Sequence, residues 1–372
     1  MIDESVGISP AERVGPSVRE LLLGRLADDS RPGQRTDDYR LVLAIEGGGM
    51  RGAISSGMLL ALEQMGLRNS VDEVVGTSAG AIAGAFFVTA KGTAGSVLYY
   101  TELNSDQFMK RRRLVSEGAA LDLDYLLDEA LPAHGLVWED VVKADIPLWA
   151  IVTPATENDE QRMYRVGESV EHAREVLGAS STLPVFAGPS RRIGDKPYVD
   201  GGMAEAVPWQ SAIARGATHV LVIRSRRFNV DGKLEPVNIF ERGAALRVVN
   251  RVHGPVVTEY VRKSNERFWI STESLRCLTE GRGTAVISGG RPVVVEAVVP
   301  SLETDLPDRL EGDTHVLMDA LTAGAQAMVD YIDLEGFAVE QRVVVTHPRA
   351  PVGTVRTESL RPVVLNPRRV PR

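Results

Sequence analysis

One cysteine, Cys277, stands in 372 residues. No intrachain disulfide can form and no cysteine-based metal cluster can be built, which fits a reducing compartment. A basic excess is also missing. Lysine and arginine total 42 against 50 aspartates and glutamates, a net charge of −8, which argues against a general nucleic-acid binder. Long apolar runs are missing too. The longest, Ala79 to Ala90, falls short of the roughly 20 residues that span a bilayer. The N-terminus, Met1-Ile2-Asp3-Glu4-Ser5, is acidic and lacks the basic-then-apolar pattern of a secretory signal. These absences predict a soluble, cytoplasmic protein, and solubility does not exclude work at a lipid surface.

What is present is core. The 44% hydrophobic content suffices for one large α/β domain or two smaller ones. Ser17 with Glu20 three residues on forms a capping-box pattern, and Val18, Leu21, Leu22 and Leu26 then share one helical face. Leu41 to Ile45 is a continuous apolar run of strand length, suited to a parallel sheet covered on both faces. Ile54, Met58, Ala61, Leu62 and Met65 recur at helical spacing until Gly66. Further strands are expected at Glu73 to Val75, Pro147 to Val152, Gln161 to Val166, Thr218 to Ile223 and Val293 to Val299. Helices are expected at Glu171 to Leu177, across a polar region from Ile239 to Phe268, and from Asp313 to Ile332. The stretch from Thr93 to Glu139 reads as helical and polar, with Lys110-Arg111-Arg112-Arg113 as a solvated face. Beyond His347 the chain turns to proline, arginine and valine without periodicity, the composition of an extended or disordered tail. The organisation expected is an N-terminal extension over 1–39 with one amphipathic helix, a single catalytic domain over 40–346, and the tail over 347–372. Alternating strands and helices predict a three-layer α/β/α sandwich with a mainly parallel sheet.

Three motifs carry chemistry. Gly76-Thr77-Ser78-Ala79-Gly80 follows an apolar strand and opens onto Ala81 to Val88, apolar on all sides. Strand, tight turn and helix is the context of a nucleophile elbow, where a serine Oγ is exposed at the positive end of a helix. Gly47-Gly48-Gly49-Met50-Arg51-Gly52 also lies between a strand and a helix. Its G-x-G-x-x-G spacing fits a dinucleotide-binding turn, but that fingerprint needs an acidic residue at the end of the second strand. Asp72 and Glu73 lie before that strand instead, so a nucleotide-binding module is disfavoured. Consecutive glycines can instead turn several main-chain N–H groups toward one point, as an oxyanion requires. Arg51 either orients that loop, adds positive charge beside it, or is a surface arginine. Asp200-Gly201-Gly202 follows a short extended run and supplies a carboxylate at a tight turn.

Taken together, the glycine loop, the Ser78 pentapeptide and Asp200-Gly201-Gly202 closely resemble the patatin-like phospholipase family. The small-residue, proline-containing segment Ala179 to Phe186 and Val207-Pro208 extend the resemblance, which is strong over residues 40–225. It implies a patatin-like fold and a lipid acyl hydrolase with a Ser–Asp dyad, needing no metal and no cofactor. Ser78 would attack the ester carbonyl and Asp200 would take its proton. An oxyanion hole would form on the loop Gly47, Gly48 and Gly49, with Gly48 and Gly49 as main-chain donors and Arg51 in support. Gly52, Gly76, Gly80, Gly201 and Gly202 complete the motifs. The partner implied is a lipid ester, in solution or at a membrane surface, with no nucleic acid.

Three other readings compete for the same residues. An α/β-hydrolase triad needs a late histidine; His219, His253, His315 and His347 follow Asp200, but none sits in a glycine-flanked loop after a late strand. An acyltransferase would share the whole site and differ only in replacing water by another acceptor. A binding-only module has no need to retain serine, aspartate and glycines together.

Overall fold

The computed structural model describes residues 11–12, 15–110, 119–228, 243–281, 284–334, 337–340 and 364–367. Its centre is a ten-stranded sheet made from β1 (Ala11–Glu12), β2 (Leu41–Ile45), β3 (Glu73–Thr77), β4 (Leu148–Pro154), β5 (Met163–Arg165), β6 (Arg191–Ile193), β7 (Lys196–Asp200), β8 (His219–Ile223), β9 (Thr284–Ser288) and β10 (Arg291–Val298). The order is β1-β9-β10-β8-β2-β3-β4-β7-β6, with β5 also paired to β4.

The five strands β10, β8, β2, β3 and β4 run parallel, as expected for apolar runs buried on both faces. The other pairings are antiparallel and flank that parallel core, which makes the sheet mixed. Two of them are hairpins, since a two-residue turn joins antiparallel strands. Gly289 and Gly290, both at positive φ, close the β9–β10 hairpin. Gly194 does the same between β6 and β7.

Successive side chains of β2 enter different cores. Leu41, Leu43 and Ile45 pack with α1 (Val18–Ala27), α2 (Gly52–Gln64), α3 (Ala79–Val88), α4 (Gly92–Thr101) and α5 (Val170–Ser180). Val42 and Ala44 pack on the opposite face with α6 (Trp209–Ala214) and the C-terminal half of α7 (Gly243–Glu280). α8 (Thr314–Ile332) joins the first layer through Leu317, Leu321 and Met328. The result is an α/β/α sandwich.

Several elements depart from expectation. The polar helix expected to end at Phe268 continues to Glu280; it bends at Gly254 (φ 81°), before Pro255, where proline disfavours helical backbone. Residues 239–242 of that expectation lie outside the described residues. The stretch expected to be helical from Thr93 instead breaks after α4, and helical turns resume at Leu123–Tyr125. Arg111, Arg112 and Arg113 lie outside the described residues. In the tail, read as lacking regular structure, Val364–Pro367 (β12) pairs with Phe337–Glu340 (β11) in an antiparallel ribbon. The tail's His347 and Pro348 lie outside the described residues. Among the described residues no helix is long and apolar enough to cross a membrane.

α1 is fastened rather than loosely appended. Its capping box is complete: the Glu20 N–H donates to Ser17 Oγ at 3.1 Å and the Ser17 N–H to Glu20 Oε2 at 2.6 Å. Arg25, 2% exposed, donates to Asp37 and Asp72 at 2.7 Å each and to the carbonyls of Ser70 and Tyr39. Asp72 also accepts from Arg35 at 2.6 Å and from the Leu41 N–H at 2.7 Å. This buried hub ties α1 to the starts of β2 and β3, the end of the sheet away from the serine. Breaking a buried ion pair by removing one partner typically costs about 3 kcal/mol or more. Arg25→Met is therefore expected to lower the unfolding free energy by about that much and so shift the urea midpoint down; an unchanged midpoint would show that the Arg25 hub contributes nothing to the domain.

Candidate active site

β3 ends at Thr77 and α3 begins at Ala79, leaving a single residue to make the turn. Ser78 makes it at φ 52° and ψ −124°, a conformation that non-glycine residues rarely hold unless their surroundings enforce it. Those surroundings are visible. The Ser78 carbonyl accepts the first α3 hydrogen bonds, from Ala81 at 2.8 Å and Ile82 at 3.2 Å. Its N–H donates to Ser180 Oγ at 3.0 Å, and Ser180 Oγ donates in turn to the Ile151 carbonyl at 2.6 Å. Gly80 lets α3 press on the exit of β2, because a Cβ there would sit 2.5 Å from the Ile45 carbonyl oxygen. Gly76 lies within β3 against the start of the same helix.

The Ser78 hydroxyl donates to Asp200 Oδ2 at 2.6 Å. Asp200 ends β7, and its other oxygen, Oδ1, accepts the Gly202 N–H at 2.7 Å. Its backbone is held from both sides: the N–H donates to Thr182 and the carbonyl accepts from Thr153 Oγ1 at 2.7 Å. Gly201 donates to the Ser180 carbonyl. The carboxyl is 4% exposed. Burial raises its pKa above the ordinary aspartate value, while the hydrogen bonds from Ser78 and Gly202 and the charge of Arg309 act against that rise.

The glycine loop lies directly against the elbow; a Cβ on Gly47 would approach the Thr77 carbonyl to 2.8 Å and Ser78 Cβ to 3.4 Å. Gly47 itself is not an oxyanion donor, because its N–H is spent on the Ala206 carbonyl at 3.0 Å. The N–H groups of Gly48 and Gly49 have no acceptor among the described residues. Gly49 adopts φ +60°, and a Cβ there would meet the Arg309 carbonyl at 2.6 Å. That carbonyl also accepts the Met50 N–H, so the loop is braced by a residue more than 250 positions away. Gly52 opens α2 beneath the Tyr99 hydroxyl. Arg51 sits in the intervening 3-10 turn, and the arginines on the cleft wall are Arg226 and Arg309 instead.

Serine, aspartate and glycine loop open onto one cleft of about 1040 Å³ including its mouth. Leu103, Phe108, Leu121, Leu126, Leu183 and Met203 make its wall predominantly apolar. Beneath the loop, Glu46 and Arg224, both 0% exposed, form an ion pair at 2.9 Å.

The histidines and the misplaced acids lie elsewhere. His219 bonds Thr218 and the Pro16 carbonyl at the start of β8, His253 is buried near the α7 bend, and His315 is in the first turn of α8. His347 lies outside the described residues. Asp72 belongs to the Arg25 hub, and Glu73 is bound by Arg40 and Arg215. Sequence reasoning assigned no role to Ser180, Arg226, Arg309 or the Glu46–Arg224 pair. Of these only Ser180, inside the quoted small-residue segment, carried any local signal.

The family described as Patatin-like phospholipase matches residues 43–213. The chain is 29% identical over 188 residues to "Uncharacterized protein YjjU" of Escherichia coli (strain K12), covering 50% of this chain and 52% of that protein. It is 26% identical over 207 residues to patatin-like phospholipase domain-containing protein 7 of Mus musculus, covering 54% of this chain and 14% of that one. Domain-containing protein 6 of Homo sapiens gives 27% over 207 residues, with the same two shares. The chain thus spans about half the length of the first of these relatives and a small part of the others. The solved structure of VipD from Legionella pneumophila aligns over 80% of this chain and 67% of its own, at 14% identity and a TM-score of 0.39. This chain therefore carries a patatin-like phospholipase domain over residues 43–213, and Ser78 and Asp200 both fall inside it.

Proposed function

We propose that the protein is a lipid acyl hydrolase that cleaves carboxylic ester bonds through a Ser78–Asp200 dyad. The observation that carries this reading is the 2.6 Å contact between Ser78 Oγ and Asp200 Oδ2 at the base of an apolar cleft. An ordinary aspartate is a weak base for a serine hydroxyl. Burial in the cleft narrows the gap by raising the carboxylate's proton affinity. The N-terminus of α3 narrows it from the other side, since its positive end favours a developing alkoxide.

The reaction follows from these positions. As Ser78 Oγ attacks the ester carbonyl carbon, its proton passes to Asp200 Oδ2. The carbonyl oxygen becomes an oxyanion and accepts the N–H groups of Gly48 and Gly49, whose donors have no competing partner among the described residues. Collapse breaks the bond to the leaving alcohol, which takes the proton from Asp200 and leaves the acyl group on Ser78. Water then attacks the acyl carbon, giving its proton to Asp200, and the acid departs as the proton returns to Ser78. Leu103, Phe108 and Leu183 hold the acyl chain by apolar burial. The catalytic unit we assign to residues 40–346, with α1 as a structural brace.

Ser78→Ala should abolish both fluorophosphonate labelling and hydrolysis of a p-nitrophenyl acyl ester. Asp200→Asn should lose nearly as much, and the double variant little more, because the two groups act as one unit. Full labelling of Ser78→Ala would sink the assignment. Bulk at Gly48 is expected to lower kcat by the ~10²–10³ typical of a lost oxyanion donor.

The raised pKa of Asp200 has its own consequence. A carboxyl that is harder to ionise when folded burdens the folded state once pH exceeds its folded pKa, and the burden vanishes below the unfolded value of 3.8. Asp200→Asn should therefore unfold at higher urea than the wild type at pH 7, with the difference shrinking as pH falls toward the unfolded value. The acid limb of wild-type kcat/KM should lie above 3.8; a limb at or below it would mean that burial does not tune the base.

A further inference from the structure

Three consecutive glycines have no side chains to fix them, so Gly48 and Gly49 depend on their neighbours to stay in line with Ser78. Two fastenings are main-chain bonds, from the Gly47 N–H to the Ala206 carbonyl and from the Met50 N–H to the Arg309 carbonyl. A third is made by a side chain. We propose that Glu46, paired with Arg224, is a positioning residue that hangs the oxyanion loop from the end of β8. The proposal rests on the acyl-hydrolase reading of the site and adds a residue on which that reaction depends.

Glu46 stands between the end of β2 and Gly47, and it is fully buried. Its N–H donates to the Ile223 carbonyl at 3.0 Å, which carries the β2–β8 ladder one step past Ile45. Its side chain then reaches the same strand end a second time. Oε2 accepts Arg224 Nε at 2.9 Å and the Ser225 N–H at 2.7 Å. Ser225 in turn lies against the loop, where a Cβ on Gly48 would come within 2.8 Å of its Oγ. One carboxylate oxygen thus joins the residue before the loop to the residue on which Gly48 rests. Arg224 and Ser225 lie beyond the span 43–213 that matches the family, so the fastening couples the motif-bearing segment to the rest of the chain.

The pair has an electrostatic side as well. A lone carboxylate beneath an oxyanion hole would oppose the negative charge that forms there. Arg224 compensates it and has no second anion among the described residues. Its Nη1 and Nη2 have no hydrogen-bond partner there, and its ring contacts are Phe228 at 5.2 Å and Phe268 at 5.8 Å. Glu46 Oε1 is likewise unpartnered among the described residues, so the carboxylate is not quenched. Its charge reaches the cleft wall: burial lowers the pKa of Arg226 and of Arg309, and Glu46 acts against that fall in both. Removing one member of a buried pair is far more damaging than replacing both, because the survivor is left as a lone buried charge. The two members are also unequal here. Without Arg224 the lone charge is negative and opposes the oxyanion, whereas without Glu46 it is positive.

The full chain is assayed with a p-nitrophenyl acyl ester and with an alkyl trifluoromethyl ketone, whose adduct on Ser78 carries a stable oxyanion. Glu46→Gln, Arg224→Met and the double variant are compared with wild type. Arg25→Met, which loosens the far end of the sheet, is the control for lost stability. Arg224→Met is expected to lower kcat and ketone affinity together by about 100-fold and Glu46→Gln by about tenfold, with KM little changed. The double variant should regain about fivefold or more over Arg224→Met, because it buries no lone charge. Arg25→Met should leave both quantities within about threefold of wild type. Three results overturn the proposal: both single variants within about threefold of wild type, losses matched by Arg25→Met, or a double variant that loses the product of the single losses. Should the single variants fail to fold, the double variant decides alone, a joint loss of about fivefold or more supporting the proposal and a smaller one refuting it. If wild type turns over no ester and Ser78 takes no fluorophosphonate, the acyl-hydrolase reading has failed instead. Hydrogen exchange then tests the fastening itself. Faster exchange of the Gly47 and Met50 amides in the double variant than in wild type and Arg25→Met supports it, and equal exchange refutes it.

Discussion

A carboxylate that is 4% exposed and 2.6 Å from a serine hydroxyl is the constraint to which the surrounding structure answers. Two demands on it conflict. In the proposed reaction it must be basic enough to draw a proton from an alcohol, which favours burial, and it must remain ionised, which favours hydrogen bonds and nearby positive charge. Asp200 has both kinds of neighbour: an apolar cleft on one side, and the Gly202 N–H and the field of Arg309 on the other. More donors would lower its proton affinity, and fewer would raise it.

Strand register sets the contact. Thr77 of β3 lies beside Ile151 of β4, and the next residue of β4, Val152, lies beside Asp200 of β7. Ser78 and Asp200 thus leave the two strands on either side of β4 at the same level, with β4 between them as a ruler. Ser180 reinforces that ruler by joining the Ser78 N–H to the Ile151 carbonyl. A slip of one residue would turn the carboxyl to the other face of the sheet. The antiparallel β7 hairpin matters for this reason, because it sets Asp200 against β4 at the edge of the parallel core.

Much of this was legible beforehand because it is local. A strand, a turn and a helix around Ser78 are written in consecutive residues, and so are the glycine loop and Asp200-Gly201-Gly202. The parallel core was readable from apolar runs such as Leu41–Ile45 and His219–Ile223. The β9–β10 hairpin was missed although Gly289-Gly290 between two valine-rich segments is a strong hairpin signal. Other features had no local signature. The partner that occupies the Gly47 N–H is one, because it is the Ala206 carbonyl, more than 150 residues on. Arg25 sits in a sequence that looks like ordinary surface, and only tertiary packing buries it; Arg226, within Arg224-Ser225-Arg226-Arg227, and Arg309 reach the cleft wall only through the fold.

The two arginines on the cleft wall come from outside the span that carries the three motifs. Arg309 acts against the rise in Asp200's proton affinity, while Arg309 is itself disfavoured by burial and by Arg51. The charge around the buried carboxyl is therefore set in part by segments beyond position 213, and the field in which any proton transfer there would occur belongs to the whole fold rather than to the three motifs alone.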